Sequence, residues 1–267
     1  MSNDDQLKVR QTVSKKKSFK ELTIVRNIIF WVDFVGEDQN ENAIFARPFN
    51  EKEAFPQKLT SKKYNIKNNF HGYGGKSYKC IYLKNNFYLI WIDQITNAVW
   101  FQIFKEVASN YRSQKRYLDS VQEPRQLSKS IDGNFDSSFV ISQKNFLYGI
   151  CEINNRDYLF SLNLKKTKQD IYRIKKFKNF AGELSSNTSV SLLSWVEWDS
   201  PYMPWEKNDL CFAQIDLDGE ITKIKKFSDK LINAKKNVSF FQPYWISETL
   251  LVCSEDSSGW WNLLFLD

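Results

Sequence analysis

One histidine, four cysteines and a few acids beside serines bound the chemistry open to this 267-residue chain. A serine hydrolase needs a nucleophile on a sharp strand-to-helix turn, spelled G-x-S-x-G, and a histidine base oriented by an acid. No G-x-S-x-G occurs, and Ser257-Ser258-Gly259 reads only as a turn. The single histidine opens the run His71-Gly72-Tyr73-Gly74-Gly75. A histidine–glycine loop can supply an oxyanion hole, but only beside a nucleophile in an α/β sheet. The plainer reading is a tight loop entering a strand, with glycines permitting unusual φ. Contact with a substrate cavity or a neighbouring domain is the other. Glu197 and Asp199 form a carboxylate pair suited to acid–base work, yet an acid that ends a strand equally caps the loop after it. No residue is therefore assigned as catalytic.

Cys80, Cys151, Cys211 and Cys253 are spread along the chain with no C-x-x-C pair. They read as reduced, buried small hydrophobes. Structural zinc needs clustered ligands, so neither a metal nor a cofactor is expected. The net charge of +7 and a pI near 9.0 invite a nucleic-acid reading. The lysines are scattered, however, as at Lys62-Lys63, Lys175-Lys176 and Lys235-Lys236, and most flank strands, where Lys blunts exposed edges. A nucleic-acid partner would need them gathered on one face; neither nucleic acid nor membrane is an expected partner. No apolar run approaches the roughly 18 residues of a membrane helix, and Met1 to Lys20 lacks the apolar core of a signal peptide. The expected location is cytoplasmic. A hydrophobic fraction of 42% with 16% aromatic residues argues for a substantial core.

The elements that must hold these residues are strands. Trp195 to Trp205 reads W-V-E-W-D-S-P-Y-M-P-W: a buried strand from Ser191 to Val196 runs into a stiff aromatic loop broken by Asp199, Pro201 and Pro204. Leu210 to Asp216 resumes as a strand, Asp218-Gly219 gives a hairpin turn, and Ile221 to Phe227 follows. The plan recurs. Asn27 to Phe34 and Ala43 to Phe49 open a first copy, after a lead-in of residues 1–20 and around a polar loop from Gly36 to Asn42. Ser77 to Leu83, Phe87 to Asp93 and Val99 to Phe104 make a second; Ser113 to Val121 is a short helix or a loop between copies. Ser137 to Ser142, Phe146 to Glu152, Tyr158 to Leu164 and Ile171 to Phe177 make a third, and the segments from Phe240 to Asp267 a fifth. I-K-K-F stands at Ile174 to Phe177 and again at Ile224 to Phe227. A period of roughly 50 residues, built of strands with no helical segment between them, points to a β-propeller. The expected fold is all-β: four-stranded antiparallel blades, about five of them, over residues 21–267, an incomplete ring. A sandwich would not carry that period. An open arc of blades would expose two blade faces and favour self-association. Trp198, Tyr202, Met203 and Trp205 could line an aromatic pocket on one propeller face or pack over a blade edge.

Three stretches then resemble known sequences, in order along the chain. Trp195 to Trp205 followed by Asp216 to Gly219, His71 to Gly75, and Gln242 to Asp267 are together similar to the propeller segment of prolyl oligopeptidase-family serine peptidases, the acylaminoacyl-peptidase and dipeptidyl-aminopeptidase-like members. Gly72 stands where the family pattern carries an acid, and Ser200 where many members carry histidine. The resemblance implies a propeller that restricts short peptides to a catalytic α/β-hydrolase domain with a Ser-Asp-His triad, which is absent from residues 21–267. That domain is the implied partner, in the same chain or as a separate polypeptide. His71, Tyr73, Gly74, Gly75, Trp198, Asp199, Tyr202, Met203 and Trp205 are the implied cavity or domain-interface residues. A free-standing propeller that binds proteins or ligands is the alternative function.

Overall fold

The computed structural model describes residues 19–35, 41–51, 54–107, 117–216, 219–227 and 237–267. Five antiparallel sheets follow one another as the blades of a β-propeller. The first blade holds β1 (Lys20–Val25), β2 (Ile28–Val35), β3 (Glu41–Pro48) and β4 (Gln57–Lys58). The second holds β5 (Tyr78–Leu83), β6 (Asn86–Asp93), β7 (Ala98–Glu106), β8 (Leu118–Ser120) and β9 (Arg125–Gln126). The third holds β10 (Gly133–Phe135), β11 (Val140–Ile141), β12 (Phe146–Ile153), β13 (Arg156–Asn163) and β14 (Tyr172–Lys176). In the fourth are β15 (Phe180–Ser186), β16 (Leu192–Trp198), β17 (Asp209–Ile215) and β18 (Ile221–Lys226). The fifth has three strands, β19 (Phe240–Trp245), β20 (Leu251–Glu255) and β21 (Asn262–Leu266). Four strands per blade is thus the count in the first and fourth blades, whereas the second and third have five and the fifth has three.

Each pair of adjacent blades shares its own apolar cluster, because a single sheet cannot cover both of its faces. Phe30, Ile44 and Trp91 lie between the first and second blades. Phe101, Phe139 and Phe160 lie between the second and third, and Tyr148, Leu184 and Trp195 between the third and fourth. Val196, Leu210 and Phe240 lie between the fourth and fifth. This two-sided burial explains why β6 and β12 read as continuous apolar runs. Tight turns close the hairpins. Lys84-Asn85 and Asn154-Asn155 each have φ near +55 at both positions, the signature of a type I′ turn. The four cysteines are free and buried.

Three strands and one segment type differ from the sequence reading, one of them the short β10 ahead of Ser137. β1 and β15, the first strands of their blades, lie where the sequence reading placed no strand, β1 meeting the 1–20 lead-in only at Lys20. Both are broken by a bulge, between Lys20 and Thr23 and between Gly182 and Ser185. At each bulge an acid takes a left-handed φ, 55° at Glu21 and 59° at Glu183. Charge and a bulge erase the alternation that marks a strand. These acids grip the following blade: Glu21 accepts the Ser77 N–H at 2.6 Å, and Glu183 accepts the Gln242 N–H at 2.6 Å. Between Ser113 and Val121 the chain forms strand β8 where a helix was an option; residues 113–116 lie outside the described residues, as do 36–40, Asp218 and Lys235-Lys236. The only helical element among the described residues is one 3-10 turn, Phe70–Gly72, and none of their helices is long and apolar enough to cross a membrane. At the two outer faces of the blade series, Leu22 and Ile24 on β1 and Leu263 and Phe265 on β21 are exposed.

Candidate functional site

In an antiparallel meander the second-to-third-strand loop and the crossing to the next blade emerge at the same end of the sheets. The two motif stretches are such connections, and they meet. Residues 59–77 join β4 to β5 but reach beyond their own blades, and Phe70 is buried in the cluster between the third and fourth blades. His71 holds φ +51 and Gly72 φ +75, which turns the chain sharply. The His71 ring sits 3.8 Å from the Phe70 ring, with edge contacts to Phe180 at 5.2 Å and Trp198 at 5.5 Å. Its Nε2 lies 2.8 Å from Asp157 Oδ2. That oxygen also accepts the Ala181 N–H at 2.8 Å, so Asp157, which is 1% exposed, ties the loop to the start of β15. Burial pushes the Asp157 carboxyl above its ordinary range, and the His71 and Ala181 hydrogen bonds pull against that rise. The His71 N–H points at Glu152 Oε2, 3.3 Å away.

The second loop leaves β16 at Trp198, whose ring stacks on Phe180 at 5.7 Å. Asp199 accepts from Lys178 at 2.7 Å and from Asn179 Nδ2 at 2.9 Å, and the Ser200–Pro201 bond is cis. Asn208 fastens the far end: its Nδ2 donates to the Pro204 carbonyl and the Phe240 carbonyl, and its Oδ1 accepts the Phe240 N–H. Side chains of the loop's two ends thus fix its shape, Asp199 on the turn before β15 and Asn208 on β19.

Between the loops lies a cavity of about 580 Å³. His71, Tyr73, Gly74 and Gly75 line one side, and Trp198, Tyr202, Met203 and Trp205 the other. Phe180, Gly182 and Glu183 of β15, Phe241 of β19 and Glu152 of β12 complete the wall. Of the nine residues implied as cavity or interface residues, Asp199 alone is not in that wall; it braces the loop from outside. Its presumed acid partner Glu197 is engaged elsewhere, accepting from Trp195 Nε1 at 2.8 Å and lying 3.4 Å from Lys175 Nζ. Ser200 lines the cavity, and Gly72 does not; a Cβ at Gly72 would meet nothing within 4 Å. Sequence reasoning missed Glu152, Asp157, Phe180, Glu183 and Phe241. One signal was legible: Glu-Leu recurs at Glu21-Leu22 and Glu183-Leu184, at the same bulge of two blades.

Glu183 is the unusual group of the wall. Burial, reinforced by Asp136, raises its pKa to about 7, while the Gln242 N–H and Lys76 act in the opposite sense. A carboxyl raised on folding binds its proton more tightly in the native state. It therefore adds stability at low pH and loses it as pH climbs from the ordinary carboxylate range through about 7. Glu183→Gln, which keeps the Gln242 bond without the charge, should raise the thermal midpoint at about pH 8 by several degrees, at about 2–4 °C per kcal/mol for a chain of this size. It should leave the midpoint at about pH 5 nearly unchanged. Equal shifts at both pH values would contradict the burial of a charge there.

No family model matches the chain, and no curated protein matches its sequence. Solved structures match its fold. A Mycobacterium tuberculosis puromycin-hydrolyzing peptidase superposes with a TM-score of 0.72 at 16% identity, over 94% of this chain and 37% of its own length. Puromycin hydrolase superposes with a TM-score of 0.75, also at 16% identity, over 97% of this chain and 39% of its own. The chain thus spans about two fifths of the length of these structures. At that identity the likeness is one of fold, and the fold is the β-propeller.

Proposed function

We propose that this chain serves as the non-catalytic propeller part of a prolyl oligopeptidase-like serine peptidase, gating the access of short peptides to an α/β-hydrolase domain that lies outside these residues. The observation that carries the reading is the meeting of the two motif loops, His71 to Gly75 and Trp198 to Trp205, on one cavity at one end of the blades. These are the stretches whose sequences resemble that family. The fold likeness to two puromycin-hydrolysing enzymes supports it. In this reading the chain contributes walls and selectivity, and the acyl-enzyme chemistry belongs to the hydrolase domain. A second reading, a free-standing binding propeller, is favoured by the cavity being walled by this chain's own residues.

Hydrolysis of a short N-blocked peptide ester separates the two. The purified chain alone should give no turnover, because its 267 residues hold no G-x-S-x-G and its one histidine is bonded to Asp157. Mixed with a polypeptide that carries the hydrolase domain, it should give turnover that neither partner gives alone. Turnover by this chain alone would overturn the reading, and silence of the mixture would leave the free-standing scaffold.

A further inference from the structure

The charge of the cavity runs against the charge of the chain. The protein carries a net +7, yet no lysine or arginine stands in the cavity wall. Its ionisable side chains are His71, committed to Asp157, two tyrosines, and the carboxylates Glu152 and Glu183. Glu183 spends one oxygen on the Gln242 N–H; its other oxygen has no hydrogen-bond partner among the described residues. Around these acids the wall is aromatic. Bulky rings are left in solvent at its mouth, Tyr73 at 81% and Trp205 at 56% exposure. Exposed aromatic surface gathered at a concave site marks a place where something binds.

We propose that the cavity binds an aromatic or similarly bulky apolar cation, its apolar part lying among Trp198, Tyr202 and Phe241 and its ammonium group at Glu183. Aromatic faces attract a cation and a carboxylate completes its neutralisation, whereas the same wall repels an anion. A bare metal ion is a poorer occupant: it would want three or more converging ligands, and among the described residues no such group occurs. The groups that face Glu183 are Asp136 at the break between β10 and β11, Lys76 ahead of β5, Cys253 on β20 and Glu152 across the cavity. A bound ammonium favours the ionised form of Glu183, so binding expels a proton from that carboxyl near neutral pH. The proposal concerns the cavity of the gating reading but does not depend on a catalytic partner. It is read as binding by this chain alone, and its failure leaves gating to be judged by turnover.

The test titrates the purified full chain with 2-phenylethylammonium and, separately, with 3-phenylpropionate, following tryptophan emission and heat. The cation should bind at least about tenfold tighter than the anion at about pH 8. Its advantage should shrink at about pH 6 and nearly vanish in Glu183→Gln, whose unfolding midpoint reports that it is folded. Trp205→Ala, a change on an exposed loop, should weaken both ligands alike. Equal affinity for the two ions, an undiminished cation preference in folded Glu183→Gln, or no detectable binding of the cation at about 10 mM, would each overturn the proposal.

Discussion

Trp195→Ala should cost about 3–5 kcal/mol. The side chain is 0% exposed at the centre of the cluster between the third and fourth blades. It meets the Phe177 ring edge-on at 6.1 Å and gives its Nε1 proton to Glu197 at 2.8 Å. Truncation removes the packing and opens a cavity between two sheets that cannot close without shifting both. It also strips Glu197 of its neutral donor, leaving that acid to Lys175 and Lys226. Against a total stability of about 5–15 kcal/mol the loss is a large fraction. Chemical denaturation followed by circular dichroism measures it, with Trp205→Ala as the control. Trp205 is a tryptophan of the same motif but stands mostly in solvent, and its loss should fall within about 0.5 kcal/mol. Equal losses from the two would contradict the placement of the blade interface.

Asp157→Ala should act on the site itself. One carboxylate oxygen holds both His71 Nε2 and the Ala181 N–H in a place shielded from water. Removing it orphans a buried backbone donor and frees the loop that carries His71, at about 2–4 kcal/mol. Asp157→Asn keeps one acceptor oxygen and should lose roughly half as much. The distinguishing readout is limited proteolysis. Cleavage within residues 59–77 should quicken in Asp157→Ala at temperatures well below unfolding. Cleavage elsewhere first would contradict the role given to Asp157.

Much of this architecture was legible because a propeller repeats. Continuous apolar strands such as Phe87 to Asp93 and Phe146 to Glu152, a shared I-K-K-F and tryptophans on equivalent strands expose the period directly. The first strands of two blades were hidden for a physical reason. Glu21 and Glu183 occupy bulges with positive φ and serve as hydrogen-bond acceptors for the next blade, so β1 and β15 look charged and irregular. The two loops of the cavity were legible because glycine, proline and aromatic residues cluster in them. Its acids were not. Asp157 sits 86 residues from the histidine it holds, and nothing in its hairpin, Asn155-Arg156-Asp157, signals that distance. Glu197 and Asp199 drew notice by proximity alone. Strand β16 ends at Trp198, so the two acids enter different surroundings and both serve structure.

The most direct test of gating is size discrimination by the reconstituted pair, this chain with a polypeptide that carries the hydrolase domain. kcat/KM would be compared for a blocked tripeptide and for an unfolded full-length protein, using wild-type propeller and Asp157→Ala. Gating predicts cleavage of the tripeptide with exclusion of the long chain by wild type, and partial loss of that exclusion in Asp157→Ala. An identical ratio of the two substrates with wild-type propeller and with the variant would contradict it.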